Sequence, residues 1–224
     1  ITNGGLVTNT VGYVGTGNGS TGTATVTVTG AGSKWENSRR LYVGSYGTGA
    51  LDIKDGGLVT NTVGYVGYFN GPTGTATVSV TGAESKWQNS EGLYVGYSGT
   101  GALNITNGGL VTSSSGYVGR YNGSTGTATV TGANSRWQNS QELYVGYAGT
   151  GTLDITNGGL VTNTVGYVGT GNSSTGTATV TGAGSKWQNS QDLLVGRFGT
   201  GTLDIKDGGL VTNTVGYVGT GNGS

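Results

Sequence analysis

Apolar and polar residues alternate along this chain in short bursts, and the bursts recur. In GTATVTVTG, Ala24, Val26 and Val28 share one face, and Thr23, Thr25 and Thr27 share the other. In GTLDI, Leu203 and Ile205 alternate with Thr202 and Asp204. In LYVG, Leu41 and Val43 flank Tyr42, and in SKWQN, Trp187 stands opposite Lys186 and Gln188. A period of two, rich in β-branched residues and bounded by Gly and Asn, predicts half-buried strands joined by tight corners. The apolar face points inward, which assigns Trp35, Trp87, Trp137 and Trp187 to the core and sends the tyrosines of Tyr-Val-Gly outward.

The pattern repeats at two levels. The tryptophans recur at spacings of 52, 50 and 50 residues. This divides the chain into units of about 1–52, 53–104, 105–154 and 155–204, with a partial copy at 205–224. Within each unit, Tyr-Val-Gly recurs at Tyr13, Tyr42, Tyr65, Tyr94, Tyr117, Tyr144, Tyr167 and Tyr217, with Leu194 in the remaining place. Its spacing alternates between 23 residues and 27 or 29, so the elementary unit has about 25 residues and three strands.

Three strands per unit, one unit after another, predict an all-β fold: a parallel β-helix, or β-solenoid, of about nine rungs, two rungs per unit. At ~4.8 Å per rung this is a rod roughly 40 Å long. The outward tyrosines are expected to stack as a ladder, each aromatic contact contributing ~0.5–1.5 kcal/mol beyond area burial. The two longer units differ by Thr27-Val28 and Ser79-Val80. A two-residue insertion keeps strand parity, whereas a one-residue slip turns the core face outward. A kelch-type propeller blade is the competing reading of a 50-residue period. Its four strands leave no place for the half-period, and four and a half copies do not close a ring.

Composition narrows the function. The 224 residues read as one continuous solenoid without linkers. Glycine contributes 50 residues, expected at corners that need positive φ. Formal net charge is zero and only 9 % of residues are charged, so there is no basic stripe for nucleic acid. No apolar run reaches membrane-spanning length. Without Cys there are neither disulfides nor thiolate metal sites, and without His or Cys there is no ordinary nucleophile–base pair. No cofactor, metal or catalytic residue is expected. Both termini fall inside the pattern, which suggests a segment of a longer solenoid or a subunit that stacks end to end.

The remaining candidates are surface features. The acids Asp52/Asp55 and Asp204/Asp207 belong to two DIKDGG corners, where turn formation accounts for them better than calcium binding. The Thr rows invite comparison with ice-binding arrays. Thr127 and Thr129 would, however, adjoin Ala102/Asn104 and Thr152/Asp154, and ordinary strand threonine is the reading taken. Asn-Gly-Ser at Asn18 and Asn122 matches a glycosylation sequon of the kind expected by chance in such corners. The corner after Tyr-Val-Gly varies most. There Tyr46, Tyr68, Phe69, Tyr97, Tyr121, Tyr147 and Phe198, joined by Arg120 and Arg197, form a candidate binding edge, since aromatics and Arg are enriched at binding hot spots; padding of the corner to shield the strand beneath is the plainer reading of the same residues.

The ordered string LYVGYAGTGTLDITNGGLVTNTVGYVG followed by STGTATVTGAGSKWQNS resembles, over the whole chain, the repeats of type V autotransporter passenger regions and of PEP-CTERM-associated surface proteins. The resemblance implies a right-handed parallel β-helix displayed or released outside a Gram-negative bacterium, acting in adhesion, aggregation or biofilm structure. Partners would be further copies of itself, glycans or cell surfaces. A polysaccharide-degrading β-helix enzyme is a remote alternative, and the family repeat brings no catalytic residues with it.

Overall fold

The computed structural model describes residues 1–17, 23–69 and 74–219. The Asn18 sequon lies outside the described residues. The chain is a parallel β-solenoid built from three sheets of nine, nine and eight strands. In every sheet each strand pairs with the one three positions later in sequence, so the chain coils, passing once through each sheet per rung. Such topology leaves no room for propeller blades, whose neighbouring strands follow one another in the chain.

One sheet collects the TATVTVT and TGALDIK segments and is called here the Thr sheet. The second collects LVTN and KWQN, the Trp sheet, and the third GYV and LYV, the Tyr sheet. Register is exact between copies. Trp87 lies between Val59 and Val111, and Tyr94 between Tyr65 and Tyr117. The Thr-sheet strand has seven residues in the longer and the shorter units alike, Thr75–Thr81 and Thr125–Thr131, and each pairs along its full length with Thr100–Thr106, so the two extra residues leave strand length and parity unchanged.

Two kinds of rung alternate. A Trp rung, such as Thr75–Thr81, Lys86–Asn89 and Leu93–Val95, supplies Ala76, Val78, Val80, Trp87, Leu93 and Val95 to the core. The following Val rung, Thr100–Thr106, Leu110–Ser113 and Gly116–Val118, supplies Leu103, Ile105, Val111 and Val118. Small residues of one rung face large residues of the next: Leu103 lies between Val78 and Ala128. Trp87, Trp137 and Trp187 are completely buried. Each rung alone would expose its apolar face. Stacking makes the core continuous, so stability accrues from rung to rung.

The glycines occupy two kinds of place, not only the corners expected of them. Gly96 closes the corner after the Tyr sheet at φ 71, where a Cβ would also strike the Thr125 carbonyl. Gly64 and Gly116, by contrast, sit inside Tyr-sheet strands. An added Cβ at Gly64 would lie 2.7 Å from Trp87 Cζ2 and 3.0 Å from Leu93 Cδ1 of the next rung. These glycines make room for tryptophan.

Polar ladders tie the corners together. Trp87 Nε1 donates to Asn61 Oδ1 at 2.7 Å, Asn61 Nδ2 donates to the Asn89 side-chain oxygen at 2.6 Å, and Asn89 Nδ2 donates to the Thr112 carbonyl at 3.1 Å. At the opposite corner, buried Ser85 donates to the Thr81 carbonyl and accepts from the Gly56 N–H of the preceding rung at 3.1 Å. Buried polar groups of this kind would cost free energy unpaired. Here they lock one rung to the next.

Candidate functional site: an aromatic corner

The Tyr sheet carries its outward side chains in one column because the strands are parallel and in register. Tyr13, Tyr42, Tyr65, Tyr94, Tyr117, Tyr144 and Tyr167 stack face to face, centroids 4.6–5.2 Å apart and planes within 11°. Leu194 pairs between Tyr167 and Tyr217 and separates the last tyrosine from the stack.

The variable corner beside this ladder divides into two columns. The first residue after Tyr-Val-Gly folds back over the ladder. Tyr68 meets Tyr42 and Tyr65 edge-on at 5.0 and 5.1 Å, Tyr97 meets Tyr65 and Tyr94, and Tyr147 meets Tyr117 and Tyr144. Arg120 takes the same place in its rung, its guanidinium 4.9 Å from the Tyr117 ring centre and 3.9 Å from that of Tyr147. Tyr68, Tyr97, Arg120 and Tyr147 are therefore half-buried, and they cover ladder tyrosines that the alternation alone would leave in water. Edge-to-face packing and cation–π attraction both favour this second layer.

The next residue points outward. Tyr46, Phe69, Tyr121 and Phe198 are 42–55 % exposed. Tyr46 and Phe69 meet at 5.8 Å, and the Tyr97 hydroxyl donates to the Tyr121 hydroxyl at 3.4 Å. Arg197 is exposed beside Phe198, 5.1 Å from its ring centre, where the ladder is interrupted by Leu194. The edge is thus an aromatic ridge along the rod with a cation at Arg120 and another at Arg197.

Packing alters the phenols. Burial first, then the neighbouring Tyr42 and Tyr94, pushes Tyr65 up to about 12. Burial likewise raises Tyr94, Tyr117 and Tyr144, while the hydrogen bond with Tyr121 is the main cause for Tyr97. Arg40 is held protonated chiefly by its hydrogen bond with Tyr42. It borders an open groove of about 530 Å³ shared with Ser38, Arg39, Thr62 and Glu91.

Elsewhere the polar surface is structural. Asp55 and Asp207 adopt φ of 51° and 50° in their corners, and their carboxylates accept from the Thr29 and Thr181 hydroxyls at 3.0 Å. Among the described residues no three of His, Cys, Asp or Glu gather as a metal site. On the Thr sheet, Thr127 adjoins Ala102 and Thr152, and Thr129 adjoins Asn104 and Asp154. Among the described residues there is no helix, hence none long and apolar enough to cross a membrane.

No protein-family model matches the chain. An uncharacterized lipoprotein of Escherichia coli strain K12, YdeK, is 35 % identical over 101 residues, a match that spans 42 % of this chain and 7 % of the lipoprotein. The chain therefore corresponds to a small part of that relative's length. The crystal structure of a hyper-glycosylated TibA fragment is 20 % identical over 93 % of this chain and 89 % of the fragment, at a TM-score of 0.20, too low to bear on function.

Proposed function

We propose that the protein is an extracellular structural rod of a bacterial surface or matrix, working through length, stiffness and self-association rather than catalysis. The observation that carries this reading is the unbroken stacking of eight and nine strands per sheet, in which each rung closely resembles the rung two places away. A chain of near-copies offers a regular surface and a continuous core, the requirements of an extended element. The local likeness to a lipoprotein and the resemblance of the repeat to surface passengers support an outer location. No cofactor enters this reading. Its direct test is electron microscopy of native secreted or surface material without labels. Long uniform fibres containing this chain are expected, and compact particles would overturn the reading.

The exposed row Tyr46, Phe69, Tyr121 and Phe198 favours a second reading, an adhesin that meets glycans or cell surfaces through its aromatic corner. Under the first reading, Tyr46→Ala with Phe69→Ala leaves assembly and surface attachment unchanged. Under the second it abolishes attachment while the rod stays folded.

A further inference from the structure

In a chain of near-copies, a corner that departs from its copies carries what the repeat itself does not require. The corner between the Trp sheet and the Tyr sheet reads Ser38-Arg39-Arg40 in the first Trp rung, against Ser90-Glu91-Gly92, Ser140-Gln141-Glu142 and Ser190-Gln191-Asp192 in the others. The backbone is the same in all four. The N–H groups of Arg39, Glu91, Gln141 and Gln191 each donate to the preceding rung at 2.8–2.9 Å, and their carbonyls accept from Thr62, Ser114, Thr164 and Thr214 of the next rung at 2.6–2.7 Å. Arginine is therefore not needed to build the corner. In the third Trp rung, Gln141 and Glu142 are engaged by the hydroxyls of Ser114 and Ser115 at 3.0 and 3.1 Å. The exposed Arg39 and Arg40 have no such anionic or amide partner, since among the described residues the only ion pair joins Lys86 to Glu84. They flank the groove of about 530 Å³, whose walls also include Ser38, Thr62, Val63 and Glu91. A described rung lies on either side of this corner, with Gly12–Val14 before it and Val63–Val66 after it.

We propose that this groove is a binding site for an acidic saccharide, whose carboxylate is held by the guanidinium groups of Arg39 and Arg40. A guanidinium is planar, always charged, and presents parallel N–H donors that match a carboxylate. The volume lies within the ~300–1,000 Å³ of small-molecule sites and exceeds what a bare ion fills. The rest of the lining selects the carrier of the anion. Thr62 commits its one hydroxyl proton to the Arg39 carbonyl at 2.7 Å, so its oxygen is left to accept. The Glu91 carboxylate also accepts. A ligand must therefore bring hydrogen-bond donors beside its anion, and the hydroxyls of a sugar are such donors. Glu91 repels a densely charged polymer or an anionic lipid surface, while a single carboxylate can seat itself against the two arginines. Val63 presents a small apolar patch to the C–H face of a sugar ring. The inference goes beyond both functional readings, since it uses neither self-association nor the aromatic corner.

The test uses the full chain and a fluorescently labelled trisaccharide carrying one glucuronic acid, with binding followed by anisotropy and competed by unlabelled compounds. Saturable binding, one per chain and weakened by added salt, is expected. The same trisaccharide with glucose in place of glucuronic acid, an end-capped tripeptide carrying one glutamate, and inorganic sulfate are each expected to compete at least tenfold more weakly. Arg39→Gln combined with Arg40→Glu reproduces the corner already built at Gln141 and Glu142, so the fold is kept. This double variant is expected to bind the acidic trisaccharide at least tenfold more weakly with circular dichroism unchanged. Equal competition by the neutral sugar would remove the anion from the assignment, and equal competition by the peptide or by sulfate would remove the saccharide. Either result, indifference to the arginine substitutions, or no binding at millimolar concentration would overturn the proposal. Compact particles in micrographs of native material would instead sink the rod reading and leave this binding result standing.

Discussion

Trp87 and Gly64 share one space: the indole leans toward the preceding rung and comes to rest where Gly64 has no side chain, 2.7 Å from the position a Cβ would take. The same relationship joins Trp35 to Gly12, Trp137 to Gly116 and Trp187 to Gly166. It explains why the chain repeats every two rungs although the backbone repeats every one. A rung with Trp and Leu needs a neighbour with Val and Gly, and the Thr sheet compensates by offering Leu and Ile where the Trp sheet offers only Val.

The asparagine ladder has one weak step. Ser113 stands where other Val rungs place Asn; Trp137 Nε1 is 3.4 Å from its hydroxyl, against 2.7 Å to Asn61 or Asn163 in the equivalent bonds. Buried Asn139 Nδ2 has no hydrogen-bond partner among the described residues. Ser113→Asn is expected to restore the short indole bond and raise stability by about 1 kcal/mol, read as a higher urea midpoint with an unchanged slope. A lower midpoint would show that the pocket is closed to the larger amide.

The tyrosine ladder sets an alkaline limit. Tyr65 is raised to about 12, and Tyr94, Tyr117 and Tyr144 are also raised, chiefly by burial. An unfolded tyrosine ionises near 10. Between those values the unfolded chain loses protons that the folded chain retains, so the ladder's contribution is intact below pH ~10 and declines as pH rises toward ~12. Phenolate absorbance followed together with circular dichroism is expected to show a group of late-titrating tyrosines whose ionisation accompanies loss of β signal. Ionisation of every tyrosine near pH 10 with the fold intact would contradict this assignment.

Leu194 interrupts the stack between Tyr167 and Tyr217. Leu194→Tyr is expected to extend it onto Tyr167 and to stabilise the rod by ~0.5–1.5 kcal/mol, measured by thermal or urea unfolding. Arg120→Ala is expected to act in the opposite sense by ~0.5–1 kcal/mol, because one guanidinium covers the rings of Tyr117, Tyr121 and Tyr147. Arg120→Lys should recover only part of the loss, since the ammonium lacks a planar face to lay on the rings.

Much of this architecture was legible in the chain. Strand parity depends on adjacent residues, so Val78, Val80 and Trp87 could be placed inward from alternation alone. The half-period at Tyr-Val-Gly predicted the coil. What alternation could not reveal lies across rungs, about 23 to 29 residues away in sequence. Gly64 reads as another corner glycine until Trp87 is seen above it. Tyr68, Tyr97, Arg120 and Tyr147 read as exposed corner residues because local sequence carries no sign that they fold back over a neighbouring column. For Gly64, though, the sequence did contain a signal: Gly before Tyr-Val-Gly alternates with Leu in step with Val and Trp.

The most direct test of this two-rung packing is a double-mutant cycle on Gly64 and Trp87, with stability read by urea unfolding. Gly64→Ala alone is expected to cost about 1–3 kcal/mol through overpacking. In a Trp87→Phe background the smaller ring leaves room, and the cost of Gly64→Ala should fall by at least half, giving a clear coupling energy. Strict additivity, with Gly64→Ala equally costly beside Trp and Phe, would contradict the shared space on which the alternation of rungs depends.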